Sequence, residues 1–201
     1  MTGLLFLKLY IAGVQIKLNS LEEVILGHTF RGAILEESSG NCYVLQAKNI
    51  KAEGDLSHEF TRINLEFSRA KGIVKDGDVI LSNRGTFRAA VYRGNQKNII
   101  AASSVYILRV KKHQILPEYL AIYLNSEVGQ NALQNLNRGT LIKSLAKSDL
   151  LELSIPLPTP EKQKIIIAIQ VNYIARKKLY AEKSELHQNI ASYAINYLVT
   201  H

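Results

Sequence analysis

The residues of this chain suited to chemistry are hydrogen-bond donors rather than nucleophiles. Asn83-Arg84-Gly85-Thr86 sets an amide, a guanidinium and a hydroxyl on one short turn, and Arg88, Arg93, Gln96, Lys97 and Asn98 follow on the next hairpin. Forked donors of these types recognise nucleic acid. Arginine suits guanine, asparagine or glutamine suits adenine, and every cation among them can meet phosphate. Gly85 lets the backbone approach closely. The bland alternative is that Arg84 and Thr86 only stabilise strand ends. Asn137-Arg138-Gly139-Thr140, with Lys143 and Lys147, is a second candidate. It positions phosphate through backbone N–H groups, or ends a helix with Gly139 in the left-handed conformation, or does both. Lys48, Asn49 and Lys51, beside Gly54, form a third polar loop where target-specific contacts would lie.

Catalysis is not expected. A DNA methyltransferase needs a Gly-rich cofactor loop after a strand and an Asn- or Asp-Pro-Pro-aromatic tetrapeptide, and the chain contains neither. A nuclease needs clustered carboxylates with a nearby lysine to hold magnesium. Asp149 and Glu152 flank a helical turn without such a partner. The five histidines show no metal-ligand spacing, and no phosphate-binding lysine loop occurs. The reading is of a binder that needs no cofactor and no metal.

Charge points the same way. The net charge is +8, and between Asp78 and Glu118 there is no acidic residue, while Arg84, Arg88, Arg93, Lys97, Arg109, Lys111 and Lys112 all fall there. Such a gap lets phosphate approach without like-charge repulsion, although a solvated basic face has the same composition. The 201 residues, 47% of them hydrophobic, suffice for one sizeable core. A single cysteine, Cys42, excludes an internal disulfide and fits a reducing cytosol, with Cys42 a small core residue. The run Gly3–Ala12 is read as a buried strand or short helix, since Lys8 interrupts its apolar stretch. No stretch approaches the length of a membrane span.

The elements that must position these residues follow from periodicity. Short apolar runs at 24–26, 43–47, 63–67, 79–81, 89–92 and 104–110, broken by Gly, Asn and Asp, predict strands of a mostly antiparallel or mixed sheet. Lys75-Asp76-Gly77-Asp78 predicts a tight turn with positive φ at Gly77. Pro117 opens a helix whose apolar face is Tyr119, Leu120, Tyr123 and Leu124. Ser126 caps a second helix with Val128, Leu133 and Leu136 facing inward. Prolines at 156, 158 and 160 keep the chain extended until Thr159 caps a final helix with Pro160 in its first turn. No Gly or Pro follows, so one helix of roughly 40 residues and ~60 Å is predicted. It carries a seam at Ile165, Ile169, Asn172, Arg176, Leu179, Lys183, Leu186, Ile190, Tyr193 and Tyr197, spaced by alternating fours and threes. That is coiled-coil spacing with a polar middle. The fold expected is α+β: a β-rich domain with flanking helices over 1–158, then a long coiled-coil helix over 159–201.

Four blocks in fixed order, Gly77–Thr86, Leu116–Ser126, Arg138–Leu145 and Ile155–Gln163, together with Leu21–Arg31 and Tyr43–Ile50 upstream, resemble the target recognition domain of the specificity subunit of type I restriction-modification systems. The resemblance covers about residues 20 to 201. It implies sequence-specific binding of double-stranded DNA, with partners in methyltransferase subunits that use S-adenosylmethionine and in a translocating restriction subunit. The family subunit usually carries two recognition domains and two long helices, whereas this chain has room for one of each. That difference implies a homodimer paired through Ile165, Ile169, Leu179, Leu186, Ile190, Tyr193 and Tyr197, and a bipartite target. The rivals are a dimeric DNA-binding regulator without enzyme partners, and an adaptor whose basic face meets an acidic protein.

Overall fold

The tetrapeptide Val79-Ile80-Leu81-Ser82 is buried at every position, which requires a strand with neighbours at both edges and apolar packing on both faces. The computed structural model, which describes residues 14–66, 71–111, 114–136 and 144–200, places it so. This strand, β5 (Val79–Ser82), pairs antiparallel with β6 (Ala89–Val91) and with β8 (Val105–Arg109). β2 (Glu23–Leu26) adds to the far side of β8, giving the order β2-β8-β5-β6 with Ile80 opposite both Ala90 and Ile107.

A three-stranded sheet packs against this one. β3 (Cys42–Leu45) is central, antiparallel to β4 (Thr61–Ile63) and parallel to β7 (Ile99–Ala101), with Val44 opposite Ile100. Its alternation divides the core in two. Leu45 faces Ile80, Tyr92, Ile99 and Ile107 between the sheets. Cys42 and Val44 lie on the other face beside their cross-strand neighbours Ile63 and Ile100, and Phe30, Ile34 and Leu65 cover them. Burial pushes the Cys42 thiol pKa up, as for a small apolar core residue. A third pair joins β1 (Gln15–Lys17) to β9 (Ser154–Pro156).

Five of the six runs expected as strands overlap one over most of its length, while 63–67 shares only Ile63 with β4; they fall in two sheets, and β1, β7 and the pairing of β9 lie outside those runs. The expected strand 63–67 stops at Ile63, because the backbone N–H and carbonyl of Leu65 bond the Asn41 side chain (2.9 and 3.0 Å) instead of a neighbouring strand. Gly77 has φ 86°, and the Lys75 carbonyl accepts from Asp78 N–H at 3.1 Å, closing the predicted turn.

Helix α1 (Pro117–Asn125) covers β5 and β6 with the predicted face Tyr119, Leu120, Tyr123 and Leu124 buried. The Tyr119 hydroxyl donates to the Pro156 carbonyl at 2.8 Å, and that of Tyr123 to Ser154 at 3.3 Å, so both rings belong to the core. Helix α2 (Glu127–Asn135) is capped by Ser126 Oγ, which accepts from Gly129 N–H at 3.2 Å. Leu133 is buried as expected, but Val128 is 62% exposed. Gly129 takes the inward position instead, since a Cβ there would stand 2.0 Å from the Tyr123 carbonyl oxygen. The neighbouring Val128 is thereby turned about 100° away. A short helix, α3 (Lys147–Leu151), precedes β9.

Helix α4 (Pro160–Thr200) runs for 41 residues and begins at the predicted proline. The chain divides into a unit of residues 1–163 and a second of residues 164–201. The segment Gly3–Ala12, read above as a strand or short helix, lies outside the described residues. Among the described residues no helix is long and apolar enough to cross a membrane.

Candidate nucleic-acid interface

Strand direction decides which of the polar loops meet. β5 ends at Ser82 and the chain turns through Asn83 to Phe87 before β6, so Arg84, Thr86 and Arg88 gather at one end of the four-stranded sheet. The loop after β3 arrives at the same end. Its Ala47 N–H donates to Ser104 Oγ at 3.1 Å, while the backbone N–H of Asn83 donates to the Ser104 carbonyl at 3.0 Å. Gly54, with φ 80°, turns the Lys51–Asp55 segment close to Asn125, whose amide bonds both the N–H and the carbonyl of Ala89 (2.9 and 2.7 Å). Lys48, Lys51, Arg84, Thr86 and Arg88 therefore share one end of the domain, Arg88 half-buried and the others exposed.

Gln96, Lys97 and Asn98 are carried to the opposite end, because β6 runs away from the Arg84 turn and β7 starts back from Ile99. Asn98 adopts φ 64°, donates to the Asn41 carbonyl at 3.2 Å and accepts from Tyr43 N–H at 2.9 Å. Two other candidate amides serve the fold. Asn49 is 3% exposed; its Oδ1 accepts from Gln46 N–H at 2.8 Å and its Nδ2 donates to the Glu59 carbonyl at 3.0 Å. Asn83 is 6% exposed and its Nδ2 donates to the Ser103 carbonyl at 2.7 Å. Arg138, Thr140 and Lys143 lie outside the described residues, as does Lys112.

Folding also redistributes the charge. The acid-free segment acquires carboxylates from outside itself. Arg93 is paired with Glu118 and with Asp76 (3.2 Å), and although burial opposes its charge, these acids raise its pKa. Arg109 donates two hydrogen bonds of 2.9 Å to Asp78 and a third to Glu23 (2.6 Å), and the Asp78 bonds raise its pKa most. Among the described residues no carboxylate pairs with Arg84 or Arg88. Their turn is held from beneath, where Ser82 Oγ donates to the Thr86 carbonyl (2.7 Å) and accepts from Arg88 N–H (2.8 Å). Gly85 has φ 70°, which fits a turn at this point. The result is a cationic turn, Arg84 exposed and Arg88 half-buried, with no carboxylate partner among the described residues and able to hold phosphate.

Sequence reasoning missed the wall beside that turn. A groove of about 330 Å³ lies between it and α2, lined by Gly85, Thr86, Phe87, Gln130 and Gln134. The signal was present in the amide-rich run Gln130-Asn131-Ala132-Leu133-Gln134-Asn135. On α4 the seam residues Ile165, Ile169, Leu179, Leu186, Ile190, Tyr193 and Tyr197 are between 56% and 76% exposed in the single chain. Ile166 and Ile167 are half-buried, and Tyr173 and Tyr180 are exposed outside the seam.

Residues 14–188 match the family model described as the type I restriction modification DNA specificity domain. Three solved structures are similar. One, from a study of complex assembly and conformational transition of the type I R-M system, aligns with TM-score 0.61 and 20% identity over 85% of this chain and 41% of the other. The type I restriction-modification S subunit from M. genitalium gives TM-score 0.56 and 16% identity over 84% and 41%. The HsdS subunit from Thermoanaerobacter tengcongensis gives 0.54 and 18% over 81% and 37%. The fold is thus shared at low identity, and the chain spans about two fifths of the length of the solved chains it matches. Comparison with curated proteins found no match.

Proposed function

We propose that this chain, which belongs to the type I restriction-modification DNA specificity family, recognises a duplex DNA sequence and directs methyltransferase and restriction subunits to it. The observation that carries this reading is the contrast within one basic segment. Arg93 and Arg109 are neutralised by acids, while Arg84 and Arg88 stand beside Thr86 with no described carboxylate partner. Lys48 and Lys51 at the same end extend the cationic surface, and Arg84 is assigned to phosphate rather than to a base. Arg138, Thr140 and Lys143 remain assigned to phosphate positioning by sequence alone, and the DNA role of Gln96, Lys97 and Asn98 is secondary because they lie at the other end. The chain itself supplies recognition, not catalysis. The test is duplex binding across a salt series, in which Arg84→Glu with Arg88→Glu weakens binding to specific and random DNA alike. Unchanged affinity and salt dependence in that variant would remove the assignment.

The long helix is the assembly element of the same reading. On that reading two copies pair through the exposed apolar seam of α4, most simply antiparallel. Parallel in-register pairing would stack Arg176 on Arg176 and Lys183 on Lys183 in the seam. Antiparallel pairing centred near Ala181 sets Arg176, Lys177 and Lys178 beside Glu182 and Glu185 of the second copy. Twofold symmetry of that kind requires inverted half-sites. A helix of ~60 Å keeps them within about two turns of DNA. The apolar residues outside the seam, Tyr173 and Tyr180 among them, remain for the methyltransferase subunits.

A further inference from the structure

We propose that Gln134 and Thr86 read a base edge of the target, with adenine as the base that Gln134 selects. The inference rests on the DNA-recognition reading and adds the residues that give it sequence preference. Base reading requires a polar side chain that is exposed, uncommitted and held on a rigid support. Gln134 meets each condition. It is exposed at the rim of the 330 Å³ groove, and among the described residues nothing bonds its carboxamide. Gln130, one helical turn earlier, anchors this side of α2 to the Arg84 turn, its Nε2 donating to the Phe87 and Leu124 carbonyls at 2.6 Å each.

Three further contacts brace the groove, one between the helices and β6 and one within each wall. Asn125 bonds both polar groups of the Ala89 backbone, Ser82 Oγ spans Thr86 and Arg88, and Gly129 lies against the Tyr123 carbonyl. Across the groove Thr86 presents an exposed hydroxyl, and Gly85 presents no side chain. A carboxamide can donate to adenine N7 and accept from adenine N6 together, while a hydroxyl serves either partner base. Arg84 and Arg88 at the same turn supply the phosphate contacts that would bring a duplex to this rim.

The test is selection of the intact chain against a pool of randomised duplexes, followed by affinity measurement on the enriched sequence. Gln134→Ala should erase an adenine preference at one position and leave the others. It should weaken the enriched duplex about tenfold while binding random duplex as the unaltered chain does. Gln134→Glu should move the preference at that same position towards cytosine, whose N4 amine donates to a carboxylate. Thr86→Val should relax an adjacent position and Thr86→Ser should restore it. If both Gln134 variants enrich the sequence that the unaltered chain enriches, the assignment is wrong while DNA recognition stands. If the unaltered chain enriches no sequence, the recognition reading fails and this inference with it.

Discussion

The side chain of Gln163, fully buried in the first turn of α4, accepts the backbone N–H of Leu116 at 2.8 Å, 47 residues earlier in the chain. Its Nε2 donates to the carbonyls of Gln114 (3.1 Å) and Pro158 (2.9 Å), so one amide satisfies three backbone groups where α1 and α4 begin. Gln163→Leu keeps the bulk and strands all three. The expected loss is about 3 kcal/mol, from a desolvation penalty of about 1 kcal/mol or more per stranded group. The denaturant midpoint of the recognition unit measures it, and a change under about 0.5 kcal/mol would show that the clamp is dispensable.

The two classes of arginine predict different salt behaviour. Arg84→Ala should lower the slope of log affinity against log salt by about one unit, the signature of one phosphate contact. Arg93→Ala should leave the slope unchanged, because Glu118 and Asp76 already hold that guanidinium. Equal effects from the two substitutions would mean that folding does not divide the basic segment as described. Fluorescence anisotropy with a labelled duplex suffices.

Much of this was legible in the sequence, for identifiable reasons. Pro117, Ser126 and Pro160 mark helix starts through local backbone chemistry, and the α1 tyrosines declare their burial by helical spacing. What could not be read depends on contacts between distant segments. Nothing in Ile99-Ile100-Ala101 says that its partner is the parallel strand β3 rather than a hairpin neighbour. Asn49 and Asn83 have the composition of DNA readers, and only the fold shows their amides turned onto backbone carbonyls. The acid-free stretch was real in sequence and partly closed in space by Glu118, Asp76 and Asp78.

Burial holds the Tyr119 phenol in its protonated form, its pKa pushed up to about 12, with Tyr123 nearby adding to the effect. In the unfolded chain the same group titrates near 10. Below about pH 10 it is protonated in both states and stability does not depend on it. Between about pH 10 and 12 only the unfolded phenol ionises, so stability falls as pH rises. Tyr119→Phe should therefore flatten the alkaline decline seen in thermal melts, while losing the hydrogen bond to Pro156 at neutral pH. An alkaline profile identical to that of the unaltered chain would contradict the assignment.

Self-association through α4 is tested in the seam. Leu186→Asp with Ile190→Asp places charge at two adjacent apolar layers and alters no residue of the 1–163 unit. Light scattering should show a dimer for the intact chain and a monomer for the variant, with the circular dichroism of the recognition unit retained. A monomer in both cases would instead assign the seam to pairing inside a larger complex.

As the proposed specificity component of a type I restriction-modification system, this chain should direct methyl transfer to its target. The most direct test combines the purified chain with methyltransferase subunits from the same genome, S-adenosylmethionine and genomic DNA, and maps the methylated bases. Methyl transfer is expected only when the chain is present, at one bipartite sequence with inverted half-sites. Methylation that is identical with and without the chain, or no complex between chain and methyltransferase, would contradict that role.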